Sequence, residues 1–218
     1  MKDQIYETIA QAGKALSSPK RLELLDVLCQ GEKTVEWLAE HTAMGMKLTS
    51  AHLRVLRGAR LVETRKEGKQ VYYRIAGPDV ASLWVSLRSL AERLFSAIDR
   101  TMEQFFRDKS DMSRLDRKTL LRRVRAGEVV VIDVRPEEEY FSGHFPSALS
   151  IPVADLKKRL SEIPKNRVVV AYCRGPYCVL SHEAVGILKT KGYRAFRMSE
   201  GVSDWVAAGL SIERGRGA

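Results

Sequence analysis

VVVAYCRGPYCVLSHEAVGILKTKGY, residues 168–193, decides the architecture of the second half of the chain. It opens on an unbroken apolar, β-branched run, breaks at CRGPYC, and resumes with the apolar spacing of a helix. A strand in which every residue is apolar is buried on both faces, which is the mark of a parallel sheet covered by helices. VVVIDV at 129–134 is a second such run, preceded by a helix expected to begin near Asp116. The region 116–218 therefore reads as an α/β domain with a parallel sheet. In such sheets ligands bind beyond the carboxyl ends of the strands, and Cys173 stands at one of those ends.

The segment Arg174, Gly175, Pro176, Tyr177, Cys178, Val179 joins a strand end to a helix N-terminus. Its backbone amides can turn toward one point, and the helix dipole adds partial positive charge there. Such a site lowers a thiol pKa and holds anions. Cys173 is thus the expected nucleophile, Arg174–Val179 the expected anion-binding loop, and a small sulfur-containing or oxyanion molecule the expected ligand. Arg174 and Cys178 join Cys173 as catalytic candidates. Cys178, five positions on, has two readings that the sequence leaves open. It is either a second thiol that attacks a modified Cys173 and closes a disulfide, or the first buried residue of the helix.

Over residues 115–215 the chain resembles the rhodanese family. The resemblance rests on VVVIDVRPEEEYFSGHFPSALSIPV, on the loop YCRGPYC, and on the late segment EGVSDWVAAGLSI. It implies that Cys173 accepts sulfane sulfur as a persulfide and passes it on, with Asp133 and His144 in structural roles. The loop departs from the family's common Cys-Arg-Ser-Gly-Asn-Arg pattern. Pro176 stands where glycine is common and Cys178 where an arginine often sits, so substrate-anion binding loses a charge that Arg174 is left to supply.

The first half follows a different order. Ser18-Pro19 reads as a helix start, with the serine oxygen as cap and proline at the first helical position. Leu22, Leu25 and Leu28 follow at helical spacing, Gly31 stops the helix, and a short helix carries Val35, Leu38 and Ala39. In KLTSAHLRVLRGA, residues 47–59, Leu53 and Leu56 turn inward while Lys47, Ser50, Ala51 and Arg54 share the opposite face. LVETRKEGKQVYYRI then reads as a β-hairpin with Lys66-Glu67-Gly68-Lys69 at its tip. Helix, turn, helix, basic hairpin is the winged-helix order, in which the second helix reads base edges and the hairpin reaches phosphates. Lys47, Ser50, Ala51, Arg54, Arg57, Arg65, Lys66 and Lys69 are the expected DNA contacts. Between Met44 and Arg74, eight basic residues against two acidic ones leave +6 of the chain's net +10.

Over residues 5–105 this half resembles the ArsR family of winged-helix repressors, on SPKRLELLDVLCQGEKTVEWLAE, LTSAHLRVLRGARLVETRKEG and VYYRI. Gly45 replaces a residue that is often small and polar in the family, and Arg60 a frequent glycine. Metal-sensing members carry paired cysteines where this chain has GEKTVEWLAE, with only Glu36, Glu40 and His41 as donors. Soft-metal sites need several converging thiolates or imidazoles, so no metal is expected, and Cys29, set among leucines, reads as a small hydrophobe.

From Asp79 to about Arg107 a single helical pattern places Val80, Leu83, Leu87, Leu90, Leu94, Ile98, Met102 and Phe105 on one stripe. That stripe exceeds what one small domain covers, which points to a homodimer paired along it and matched to a palindromic double-stranded operator, the alternative being a linker helix packed on its own domain. The expected organisation is a winged-helix and dimerisation domain at 1–107, a linker at 108–115 and a rhodanese-like domain at 116–218: α/β overall, with a mainly helical first domain.

Hydrophobic residues at 44% and charged residues at 29% of 218 suit a soluble globular chain. No apolar run reaches the roughly 18 residues of a membrane span, and the N-terminus has no signal-peptide core, so a cytoplasmic protein without membrane partner is expected. Three cysteines are too few for a disulfide scaffold, and no cofactor is expected. The leading functional reading is a DNA-binding regulator, as a repressor, whose rhodanese domain senses or transfers reactive sulfur. The alternatives are a sulfurtransferase that uses the winged helix for localisation or dimerisation, and an oxyanion reductase acting on a substrate such as arsenate.

Overall fold

A computed structural model describes residues 1–105 and 117–215. The expected linker at 108–115 and the helix start near Asp116 lie outside the described residues. The chain divides into two compact units, Met1–Leu87 and Arg88–Ala218.

The first unit opens with helices α1 (Lys2–Leu16) and α2 (Pro19–Leu28), a short strand β1 (Lys33–Thr34), and helices α3 (Val35–His41) and α4 (Met46–Gly58). A hairpin of β2 (Val62–Glu67) and β3 (Gln70–Ile75) follows, and then α5 (Pro78–Leu94), whose residues from Arg88 onward belong to the second unit. Leu24, Leu25, Leu28, Leu38, Leu53 and Leu56 form the centre of the core. Ser18 is extended and stands at the start of α2, but its side chain makes no capping bond. Proline at the first helical position removes one of the amides in need of a partner. The capping hydroxyl in this unit belongs instead to Thr34, which accepts the Trp37 amide at 3.2 Å and starts α3.

The hairpin forms as expected and pairs Glu67 with Gln70 across a two-residue turn. Gly68 takes φ +59 there, a conformation that costs glycine least. β1 adds a third strand against β3, in the order β1-β3-β2, and ties the start of α3 to the wing. Arg60 also has positive φ, +57, which is the physical reason a glycine suits that position.

Within the described residues, up to Phe105, the single long helix expected from Asp79 to about Arg107 is two helices. α5 ends at Leu94, and α6 runs Ser96–Phe105. The interruption falls at Phe95, whose carbonyl accepts the Ile98 amide in a tight turn.

Among the described residues, the second unit takes in the end of α5, α6 and α7 (Arg117–Arg125) and is built on four parallel strands: β4 (Val129–Asp133), β5 (Leu149–Ser150), β6 (Val168–Tyr172) and β7 (Ala195–Arg197). Their order is β5-β4-β6-β7. Helices α8 (Glu137–Ser142), α9 (Leu180–Thr190) and α10 (Val202–Ala207) complete it. The two-residue period of a strand splits the core into two layers. Ile132, Val169, Ala171, Cys173 and Ala195 pack with Ala184, Val185 and Leu188 of α9. Val129, Val131, Val170 and Tyr172 pack on the other face with Leu120, Tyr140, Val202 and Trp205. The parity that sends Val169 and Ala171 toward α9 sends Cys173 there too.

Among the described residues no helix is long and apolar enough to cross a membrane, and no group of three or more His, Cys, Asp or Glu residues is gathered to hold a metal ion.

Candidate functional site

Two sites were expected, and each lies within one unit. On α4, Leu53 and Leu56 are fully buried, while Lys47, Arg54 and Arg57 are exposed and Ser50 and Ala51 half-buried. Positions 47, 50, 51 and 54 lie three, four and seven residues apart and so share one helical face. The wing presents Lys66 and Lys69 at its tip, both exposed.

Arg65 is engaged differently from the other expected contacts. Its guanidinium pairs with Glu32 at 2.5 Å and Glu67 at 2.6 Å and lies over the Tyr72 ring. Arg74 pairs with Glu63 across the hairpin at 2.8 Å. Both acids of the 44–74 segment are thereby matched. Lys47, Arg54, Arg57, Arg60, Lys66 and Lys69 carry its excess charge, because none of them forms an ion pair among the described residues.

In the second unit, Cys173 follows the last residue of β6 and its side chain is fully buried. Its Sγ lies 3.0 Å from Ser181 Oγ in the first turn of α9, and 3.5 Å from the Cys178 carbonyl. Burial pushes this thiol up. The Cys178 thiol, the Ser181 hydroxyl and backbone hydrogen bonds from Ser181 and Gly175 more than offset that and bring it down to about 6. Cys178 moves the opposite way: the neighbouring Cys173 thiol, burial and the negative charge beside it raise its pKa. All three cysteines are free.

The loop thus brings Cys173 and Cys178 together with their pKa values pushed apart, Cys173 down and Cys178 up. Around them Gly175 is buried, Pro176 half-buried, and Tyr177 and Val179 form an exposed rim. The Tyr177 hydroxyl donates to Glu92 at 2.8 Å. Arg174 reaches the loop already matched by a carboxylate. Its Nε and Nη2 bond to Glu139 of α8, at 2.7 Å for the shortest contact, and Glu139 is wholly buried. The compensation expected of Arg174 for the missing loop arginine is reduced accordingly, since its charge is balanced on the spot.

Three further groups shape the loop without a sequence signal that singled them out. Ser181 touches the Cys173 sulfur. Arg197, the last residue of β7, donates from Nε to Ser181 Oγ at 3.2 Å and from Nη2 to the Pro176 carbonyl. Gly201 backs the loop so closely that a β-carbon there would lie 2.2 Å from the Arg174 carbonyl oxygen and 3.0 Å from that of Cys173. Asp204 accepts the Gly201 amide at 2.8 Å and pairs with Arg88. The β6–β7 register, with Ala171 opposite Arg197, carries Arg197 to the strand end beside Cys173.

Asp133 and His144 lie in a separate buried network. Asp133 accepts from Arg135 at 2.5 Å and from the Tyr172 hydroxyl at 2.5 Å, and Arg135 also donates to the Gly143 carbonyl. His144 stacks on Tyr140 and donates from Nδ1 to its carbonyl at 2.8 Å. Cys29 is half-buried at the end of α2.

Comparison with known proteins bears on both units. A model of the rhodanese-like domain matches residues 116–208, and one of bacterial regulatory proteins of the arsR family matches residues 18–64. The chain is 42% identical over 214 residues to the HTH-type transcriptional regulator Rv0324 of Mycobacterium tuberculosis, covering 98% of this chain and 94% of that protein. A sulfurtransferase of Allochromatium vinosum is 35% identical over 103 residues, covering 46% of this chain and 94% of its own length. Among solved structures, a homodimeric winged helix-turn-helix DNA-binding fragment from Mycobacterium bovis is 42% identical. The match covers 43% of this chain and 87% of that one, with a TM-score of 0.42. Matched in order by both domains, and nearly end to end by a transcriptional regulator, the chain belongs to the arsR family of bacterial regulatory proteins and carries a C-terminal rhodanese-like domain.

Proposed function

We propose that this regulator is a homodimeric repressor that binds a palindromic operator through α4 and the wing, and that its rhodanese-like domain reads reactive sulfur through Cys173. The observation that carries the sulfur reading is the buried setting of Cys173 at the strand end, with Sγ 3.0 Å from the Ser181 hydroxyl and its pKa brought down to about 6. A thiolate of that kind attacks the outer sulfur of a polysulfide or of thiosulfate. With thiosulfate, a sulfur–sulfur bond forms at Cys173, sulfite leaves with the electrons of the broken bond, and the product is a persulfide.

Cys178 supplies a second step. While Cys173 is a thiolate, its negative charge and burial keep Cys178 protonated, and Cys178 is a poor nucleophile. Sulfuration moves the negative charge one sulfur outward and relaxes that hold. Deprotonated Cys178 then attacks the inner sulfur, forms the Cys173–Cys178 disulfide and expels hydrosulfide. The bridged and reduced loops are the two states a regulator needs, provided that they differ in DNA affinity.

Sulfur transfer to an external thiol is the second reading, favoured by the similarity of this domain to a sulfurtransferase. Peptide mapping of the protein after polysulfide or thiosulfate treatment, with operator-shift assays on the same samples, separates the two. The regulator reading expects a Cys173–Cys178 bridge and altered DNA affinity, with Cys178→Ser stopping at the persulfide and Cys173→Ser inert. A persulfide at Cys173 in both the unsubstituted protein and Cys178→Ser, without crosslink or change in DNA binding, leaves a plain sulfurtransferase domain.

A further inference from the structure

The geometry points to Arg197 as a positioning residue for the Cys173 thiolate, acting through the Ser181 hydroxyl. This inference rests on the reading of Cys173 as the reactive thiol and concerns what keeps it so.

Ser181 Oγ has one proton to give and lone pairs to receive with. The Arg197 Nε–H occupies one lone pair from 3.2 Å, and a guanidinium only donates. The hydroxyl proton is left to point elsewhere, and Cys173 Sγ lies 3.0 Å away as an acceptor. A hydroxyl that receives from a cation is also a stronger donor, because successive hydrogen bonds polarise one another. The other arm of the same guanidinium bonds the Pro176 carbonyl. One buried side chain therefore orients the donor to the sulfur and pins the loop that surrounds it. Lysine cannot do both, because it lacks the planar fork.

The placement follows from strand parity. Ala195 packs on the same face as Val169, Ala171 and Cys173, and Arg197, two residues on, shares that face. α9 covers that face, and its first turn offers Ser181. The charged and titratable groups around the sulfur are then the Cys178 thiol within the loop, Arg174 held by Glu139 of α8, and Arg197 of β7, with Asp204 and Arg88 beneath Gly175. Arg174 is neutralised by its carboxylate partner. Arg197 reaches the sulfur through the Ser181 hydroxyl.

The test is the pH dependence of iodoacetamide alkylation at Cys173, resolved by peptide mass, for the full chain and for Ser181→Ala, Ser181→Thr, Arg197→Gln, Arg197→Lys and the Ser181→Ala/Arg197→Gln double variant. Thermal melting identifies the variants that fold. In the unsubstituted protein the rate should have its midpoint near pH 6. Ser181→Ala and Arg197→Gln should each raise the midpoint by about one unit. Ser181→Thr should restore it, and the double variant should shift no further than Ser181→Ala, since residues that act in series are not additive.

An unsubstituted protein whose Cys173 alkylates with an ordinary thiol midpoint overturns the reactive-thiol reading itself. A low midpoint that Ser181→Ala and Arg197→Gln leave unchanged overturns only the relay. Additive shifts in the double variant overturn it as well, because Arg197 would then act independently of Ser181. If Arg197→Gln does not fold, Arg197→Lys replaces it in the cycle, with a smaller upward shift expected.

Discussion

Gly201 and Cys173 lie on different elements, yet the conformation of one depends on the size of the other. Gly201 has φ −108 and ψ −175, which any residue adopts, so its identity is set by contact and not by backbone strain. The 2.2 Å approach of a hypothetical β-carbon to the Arg174 carbonyl oxygen falls on backbone, which cannot rotate away. Gly201→Ala is expected to displace the loop and to destabilise the second unit by about 1 to 3 kcal/mol. Melting should fall by several degrees, and Cys173 alkylation near neutral pH should slow. Unchanged melting and alkylation would mean that the loop does not lean on this residue. At this scale the sequence announces Cys173, because a polar break after a buried strand is local information. Ser181 and Arg197 are not announced: one reads as an ordinary helix position, and the other meets the loop only through the register of β6 with β7. The same holds for Arg174, whose engagement by Glu139 depends on where α8 places a carboxylate.

Elements were more legible, for a physical reason. Periodicity reports which face is buried: Leu53 and Leu56 define the inward side of α4, and the unbroken runs ending at Asp133 and Tyr172 define parallel strands. Terminations were harder. The break at Phe95 has no proline or glycine to mark it, and β1 exists only because β3 is there to receive it. The outward faces of α4 and the wing yield a test at the same scale. Arg54 lies on the helix face proposed to enter the major groove, and Lys66 on the hairpin proposed to meet phosphate. Arg54→Ala should cost about 1 to 3 kcal/mol of operator binding and relax specificity, whereas Lys66→Ala should weaken binding to all sequences alike and lower the salt slope by about one. Operator titrations at several salt concentrations, against a scrambled duplex, read both effects. Equal affinity of both variants and the unsubstituted protein would remove the assignment of α4 and the wing. Arg65→Ala should act more weakly than Lys66→Ala, because Glu32 and Glu67 already balance its charge.

For the whole molecule, the decisive surface is the apolar side of α5. Val80, Ala81 and Trp84 are buried, whereas Leu83, Leu90 and Leu94 are exposed, Leu94 to 65%. Leucines left in water along one helix are the expected signature of a face that a second copy covers. The break at Phe95 shortens the continuous stripe but leaves this segment intact. Two joined winged domains bind a palindromic site far better than one, because the second half-site is engaged at high effective concentration. Charged substitutions at Leu90 and Leu94, as Leu90→Glu with Leu94→Glu, should yield a folded monomer with operator affinity lowered by roughly a hundredfold or more. Sedimentation velocity gives the mass, and circular dichroism shows whether the helices survive. A monomeric unsubstituted protein at micromolar concentration would end the dimer proposal. A double variant that stays dimeric would move the interface off α5. The same variant also tests how sulfur chemistry reaches DNA. If the Cys173–Cys178 bridge alters operator affinity through dimer geometry, the monomer should still form the bridge, while its weak residual DNA binding should no longer respond to it.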